Sequence, residues 1–435
     1  MSIYIIQGGH KLKGSISVNS SKNTGVGLLC AALLNDGITE FYNFPDLEET
    51  KRIIEVLESI GVKITWPNPR QLRIEPPKKF NLDAIDYKAA SSTRSVLMLL
   101  GVLMHKLDHF NLPKSGGCKL GSRTVAPHLY ALEKFGVKII STARYYKVSR
   151  PKKMHEEEIV LYESGDTVTE NAVMASALTP KTTTLKYASA NYQIQELCFF
   201  LKAAGVKIDN IGNTTITIHG VNKINKHVKY WLAEDPIEAM MFISLAATTN
   251  SSLTIKGCPM DFLELELLKL EKMGFKYEVL KKYKSKNGET KLADIKTYPS
   301  SLIAPKDKIY GRPYPGLNID NLPFFVPIAT QAKGRTLIHD WVYENRAIYY
   351  TELSKLGASL TLADPHRIYI DGPSKLKSNE VVCPPALRPS VIILIAMLAA
   401  NGKSILRNTY AIDRGYEDLA GRLKSIGAKI EKIKE

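Results

Sequence analysis

Apolar and polar positions along this chain repeat a single pattern six times. The copies are LESIGVKI from Leu57, LEKFGVKI from Leu132, LKAAGVKI from Leu201, LEKMGFKY from Leu270, LSKLGASL from Leu353 and LKSIGAKI from Leu423. Their glycines, Gly61, Gly136, Gly205, Gly274, Gly357 and Gly427, are 75, 69, 69, 83 and 70 residues apart. Such regularity marks an internal repeat. Each copy predicts the last turn of an amphipathic helix, a glycine cap in the left-handed region and a short strand. In the first copy Ile53, Ile54, Leu57 and Ile60 recur at helical spacing, and Asp46 with Glu49 predicts a capping box at the helix start.

Upstream of each amphipathic helix lies a second segment, apolar nearly all round: GVGLLCAALL, SVLMLLGVLM, ENAVMASAL, EAMMFISLAA, FFVPIATQA and SVIILIAMLAA. Helices of that kind are buried. Short strands such as GITEFYNF, TTTLKYAS and TTITIHG lie between and after the helices. The expected fold class is α/β, with inner buried helices, outer amphipathic ones and sheets between. Six units divide into two domains of three: residues 20–231, and 1–19 with 232–435. The start YIIQGGHKLKGSISV has no repeat of its own and is expected to complete the last unit. The longest spacing reflects an insertion between Leu280 and Pro313, expected as a surface excursion.

Composition narrows the class. Apolar residues at 44% and charged residues at 23% describe a globular chain, and no apolar run reaches the ~18 residues of a membrane span. The first residues lack a secretory pattern, and five scattered cysteines without a CxxC pair fit neither a disulfide framework nor a cysteine-rich zinc site. A cytoplasmic protein is expected. The net charge of +16 favours anionic partners. Nucleic acid is not among those expected, because the lysines are scattered and not interleaved with aromatics on one face.

Several segments interrupt the repeat. SSKNTG places Lys22 at the start of an inner helix, either as an anion ligand or as a solvated lysine beside a serine cap. PKSGGCKLGSRTVAPH carries Cys118 between Lys119 and Arg123, a setting that favours thiolate, although the loop also reads as a structural insertion. Arg94, Arg346, Arg388 and Arg414 stand where helix starts are expected, and cations there suit a bound anion. Asp320 is a candidate site residue or an N-cap.

With the motifs SKN, GGCxxGxR, TEN, ENR and IDRGYE in this order over nearly the whole chain, the sequence resembles the enolpyruvyl transferases. That resemblance implies a two-domain inside-out α/β barrel of βαβαββ units, three per domain, with the active site in the cleft between them. It also implies transfer of the enolpyruvyl group of phosphoenolpyruvate to the 3′-hydroxyl of UDP-N-acetylglucosamine, with loss of phosphate, in peptidoglycan synthesis. On the matching positions Lys22, Arg123 and Arg414 hold phosphoenolpyruvate and Arg346 and Arg388 add to the field. Cys118 is the general acid and Asp320 the general base. Asn23, Arg94, Thr124, Val125, His128 and Val342 line the sugar-nucleotide site. No cofactor, metal or membrane partner is implied.

The chain departs from the family pattern at Ala126, Glu163, Asp166, Pro236 and Ala386, and its ASANYQ, with Asn191, replaces AREPE. These changes lie away from the phosphoenolpyruvate residues. They leave open a different nucleotide or sugar acceptor, and a non-catalytic binding paralogue is the remaining alternative.

Overall fold

The computed structural model describes residues 2–114, 124–154 and 158–434. They form two compact units, one running from Ser20 to Ala233, the other combining the residues up to Asn19 with those from Glu234 onward. Each unit holds three sheets. All six repeat glycines adopt positive φ, between 82° and 104°. A side chain there would meet the left-handed penalty, and this explains why the helix-to-strand turn is written with glycine each time.

In the Ser20–Ala233 unit, Thr39–Tyr42, Gln71–Glu75 and Lys63–Asn68 form an antiparallel sheet to which Val228–Trp231 adds in parallel beside Thr39–Tyr42. Its register pairs Phe41 with Leu72 and Thr39 with Ile74, so one face is buried. Another sheet runs Lys207–Asp209, Thr215–His219, Thr182–Lys186, with Glu158–Val160 parallel at the edge. The remaining one, His109–Pro113, Tyr145–Ser149 and Lys138–Ser141, has three strands. Inner helices Lys22–Ala32 and Asp166–Ala177 contribute buried residues to the core between these sheets.

The other unit repeats the plan. All thirteen residues of helix Pro236–Thr248 are buried, and so are all but the last of Leu387–Ala399. The N-terminal strand Ser2–Gly8 lies between Gly402–Arg407 and Lys429–Lys434, antiparallel to both. Thr215–His219 occupies that same middle place in the third repeat, so the chain start supplies the strand that the sixth repeat lacks. Lys13–Ser17 then pairs in parallel with Ser252–Lys256 in the fourth repeat's sheet.

Four local expectations need correction. The outer helix of the first repeat is Glu48–Ser59, capped by Thr50, whose Oγ1 accepts from Leu47 N and donates to the Pro45 carbonyl. Asp46 instead pairs with Lys51, and Glu49 accepts from Thr93. The segment SVLMLLGVLM is a 3₁₀ helix, Arg94–Leu99, running into one α-turn, Leu100–Leu103. Asn171 explains the break: its Nδ2 donates to Leu97 O at 2.9 Å and its Oδ1 accepts from Gly101 N at 3.0 Å. Those two backbone groups would pair with each other in an α-helix, so the amide has inserted itself into the ladder. Gly101 permits this approach, since a Cβ there would lie 2.5 Å from Asn171 O. Pro323, just before FFVPIATQA, and Pro327 within it remove donors, and the region is a 3₁₀ turn, Leu322–Phe324, followed by the short helix Phe325–Ala329. Part of the inserted segment, finally, is regular structure: Lys276–Lys284 and Lys291–Tyr298 form a hairpin whose Leu292, Ala293 and Ile295 are buried.

Candidate active site

Cys118 and Arg123 lie outside the described residues. The other candidates fall into two groups, one in each unit.

In the Ser20–Ala233 unit, Ser21 caps helix Lys22–Ala32 by accepting from Thr24 N, placing Lys22 and Asn23 in its first turn. Ser21 Oγ and Asn23 Nδ2 both donate to the hydroxyl of Tyr192, at 3.2 and 3.1 Å. Nearby, Glu170 is fully buried on helix Asp166–Ala177 and accepts from Gln193 Nε2 at 3.3 Å. Burial, and then the Asp166 charge, push the Glu170 carboxyl well above its ordinary range, with Lys22 acting against them. Arg94 donates to Thr124 O at 2.7 Å, and Thr124 Oγ1 accepts from Ala126 N. Val125 precedes helix Ala126–Glu133. Arg94, Thr124 and Val125 therefore meet at one place, with His128 on the first turn of that helix.

His128 is buried between Asn171 and Thr167. The Asn171 amide is oriented by Gly101 N, so its Nδ2 donates to His128 Nδ1 at 2.9 Å. Nδ1 is then the unprotonated nitrogen, and Nε2–H faces Thr167 Oγ1. Burial, helped by the Arg94 charge, lowers this imidazole from 6.5 to about 4. A depressed folded value means the unfolded chain takes up the proton first, so stability present above pH 6.5 is lost as pH falls towards 4. Between pH 7 and pH 5 His128 alone is expected to cost about 2 kcal/mol. Urea unfolding at both pH values checks this, and His128→Gln should shrink the difference by about that amount.

The departures from the family pattern have local partners here. Asp166 accepts from Ser189 Oγ at 2.6 Å and from Asn191 Nδ2 at 3.0 Å, and the Asn191 side chain accepts from Tyr192 N. In the other unit Pro236 stands at the first position of its helix, where a missing N–H costs nothing, and Asp235 caps it by accepting from Ile237 N.

The second group surrounds Asp320, whose carboxylate lies 3.5 Å from Arg346 Nη1 and 3.6 Å from Arg388 Nη2. Arg346 is 1% exposed, pairs with Asp340 through Nε and Nη2 at 2.6 and 2.8 Å, and donates to Ile319 O. Its guanidinium also lies 4.1 Å from the Tyr343 ring centre, and Tyr350 donates to Asp340. Burial opposes the Arg346 charge, but Tyr350 and Asp340 more than offset it, and the side chain stays protonated. Arg388, second residue of Leu387–Ala399, donates to Tyr416 Oη at 3.0 Å. Val342 is partly exposed on the loop before Arg346.

Three of the four arginines expected at helix starts are there: Arg94 opens a 3₁₀ helix, Arg346 precedes Ala347–Leu356 and Arg388 sits in a first turn. Arg414 is not. It closes the short helix Tyr410–Asp413, where a cation suits the dipole without any bound anion. Asp320 is not an N-cap either, since Asn321 holds that place. Sequence reasoning missed Asp340, Tyr350 and Tyr416, which tie down the two arginines facing Asp320. It also missed Tyr192, whose one trace is the altered ASANYQ stretch. Among the described residues no group of three or more acidic, histidine or cysteine side chains is disposed to hold a metal, and no helix is long and apolar enough to cross a membrane.

Two units of three sheets, with buried helices among them and arginine-flanked carboxylate chemistry in one, define an enolpyruvyl transferase fold. Solved structures agree: the enolpyruvyl transferase NikO from Streptomyces tendae superposes with a TM-score of 0.84 at 22% identity, covering 99% of this chain and 98% of that one. EPSP synthase from Acinetobacter baumannii gives 0.77 at 18% identity, with both chains fully covered. A family profile described as EPSP synthase (3-phosphoshikimate 1-carboxyvinyltransferase) matches residues 6–423, and the chain belongs to that family of enzymes. Among its relatives, the UDP-N-acetylglucosamine 1-carboxyvinyltransferase of Treponema denticola is 34% identical, with 99% of each chain covered. The enzyme of the same name from Bradyrhizobium diazoefficiens is 31% identical over 99% of this chain and 98% of its own.

Proposed function

We propose that this enzyme transfers the enolpyruvyl group of phosphoenolpyruvate to the 3′-hydroxyl of UDP-N-acetylglucosamine and releases phosphate. The observation that carries the reading is its end-to-end similarity to relatives named for that acceptor. The reaction is the first committed step of peptidoglycan synthesis, which places the enzyme in cell-wall biogenesis, and so in cell shape and division, in the cytoplasm where its substrates are made. In this reading each set of three repeats, 20–231 and 1–19 with 232–435, builds one inside-out α/β barrel.

Lys22, Arg123 and Arg414 are the cations for phosphoenolpyruvate, whose phosphate and carboxylate reward charge-assisted contacts. Asp320 takes the proton of the attacking sugar hydroxyl while Cys118 delivers a proton to the methylene carbon, and loss of a proton from the resulting methyl group then restores the double bond as phosphate leaves. Arg388 and Arg346 fix the Asp320 carboxylate and add positive potential beside it. Asn23, Arg94, Thr124, Val125, His128 and Val342 bind the nucleotide sugar.

The test is phosphate release from phosphoenolpyruvate, dependent on UDP-N-acetylglucosamine and absent with other UDP-sugars. An epoxide phosphonate should abolish it by alkylating Cys118. The four described cysteines, Cys30, Cys198, Cys258 and Cys383, are all buried, and burial pushes each thiol up, away from the reactive thiolate. Mass spectrometry showing the label on one of those four overturns the assignment.

A further inference from the structure

We propose that Tyr192 is a positioning residue for the turn carrying Lys22 and Asn23, an inference that rests on the transferase reading above. Tyr192 is buried at the first position of helix Tyr192–Ala204, and its hydroxyl accepts from Ser21 Oγ and Asn23 Nδ2. Those donors flank Lys22 on either side. Ser21 Oγ is at the same time the cap of helix Lys22–Ala32, accepting from Thr24 N. One phenol oxygen therefore holds both the cap of the helix and the side chain of its second residue. A lysine on a four-carbon stem presents its ammonium reproducibly only when the backbone at its root is held.

The residues on either side of Tyr192 tie the same turn to a second element. Asn191 donates to Asp166 and Gln193 to Glu170, both on helix Asp166–Ala177, and the Lys22 charge acts on Glu170. Three consecutive side chains thus join the start of one inner helix to the first half of another. A ring that merely filled the core would need no hydroxyl, and none of these contacts would run to the residues around Lys22.

Tyr192→Phe keeps the ring and deletes the acceptor. Hydrogen exchange in peptides covering residues 20–28 should quicken about tenfold, as expected for loss of local hydrogen bonds, while segments that open independently of this turn keep their rates. KM for phosphoenolpyruvate should rise about tenfold while kcat moves less than about threefold, because binding geometry is lost and the reacting groups remain. Unchanged exchange at 20–28 overturns the inference, and so does an unchanged KM in an enzyme whose wild type turns over. A wild type that releases no phosphate with UDP-N-acetylglucosamine overturns the transferase reading instead. Exchange, which needs no substrate, then decides the role of Tyr192 by itself.

Discussion

Asp320→Asn is expected to lower kcat by two to four orders of magnitude and to leave the fold intact. General-base catalysis contributes roughly 10²–10⁴ to rate, and an amide of the same shape cannot take the hydroxyl proton. The substitution is mild for the structure because both arginines facing Asp320 keep other partners. Arg346 retains Asp340 and the Ile319 carbonyl, and Arg388 retains Tyr416. Acceptor binding by calorimetry should therefore survive while phosphate release collapses. A kcat within about tenfold of wild type would show that another group takes the proton.

Arg346→Met should act in the opposite way, first on stability. Arg346 and Asp340 are each 1% exposed, and the methionine leaves the Asp340 carboxylate buried without its guanidinium, with Tyr350 still donating to it. Breaking a buried pair from one side costs about 3–5 kcal/mol, most of it the desolvated charge left behind. Urea unfolding measures this loss, and the double variant Arg346→Met with Asp340→Asn should recover part of it, because the stranded charge is gone. A loss in the single variant below about 1 kcal/mol would mean that water reaches Asp340, leaving the pair no more than a surface salt bridge. The resemblance assigned Arg346 a place among the substrate ligands. The structure adds a fold-bearing role, with one nitrogen left facing Asp320 at 3.5 Å.

Much of the fold was legible in the letters, for a local reason. A left-handed cap, an amphipathic stripe and an all-apolar helix are each properties of a dozen consecutive residues, and here they recur six times. The six glycines with positive φ and the fully buried Pro236–Thr248 and Leu387–Ala399 helices follow from such runs. Even the N-terminal strand could be placed, because the chain start had no repeat of its own to belong to. Local pattern failed where a distant side chain intervened. Asn171 reaches 74 residues back to Leu97 and turns an apparent α-helix into a 3₁₀ segment, although nothing within SVLMLLGVLM announces it.

The candidate site divides along the same line. Residue types and motif order were enough to nominate Lys22, Arg94, Asp320, Arg346 and Arg388 as candidates, because a cation or a carboxylate is chemistry that a letter carries. The groups that hold them were not legible. Tyr192 meets Ser21 across 171 residues and Tyr416 meets Arg388 across 28, and no periodicity links such pairs. Asp340 lies only six residues from Arg346, yet an aspartate after a strand reads as a turn until the chain has folded it beside a buried guanidinium. Sequence by itself determined the repeat, the buried helices and the chemical inventory, since these depend on neighbours along the chain. Tertiary structure alone decided which polar groups are paired and buried, because desolvation and hydrogen-bond geometry exist only between segments brought together in space.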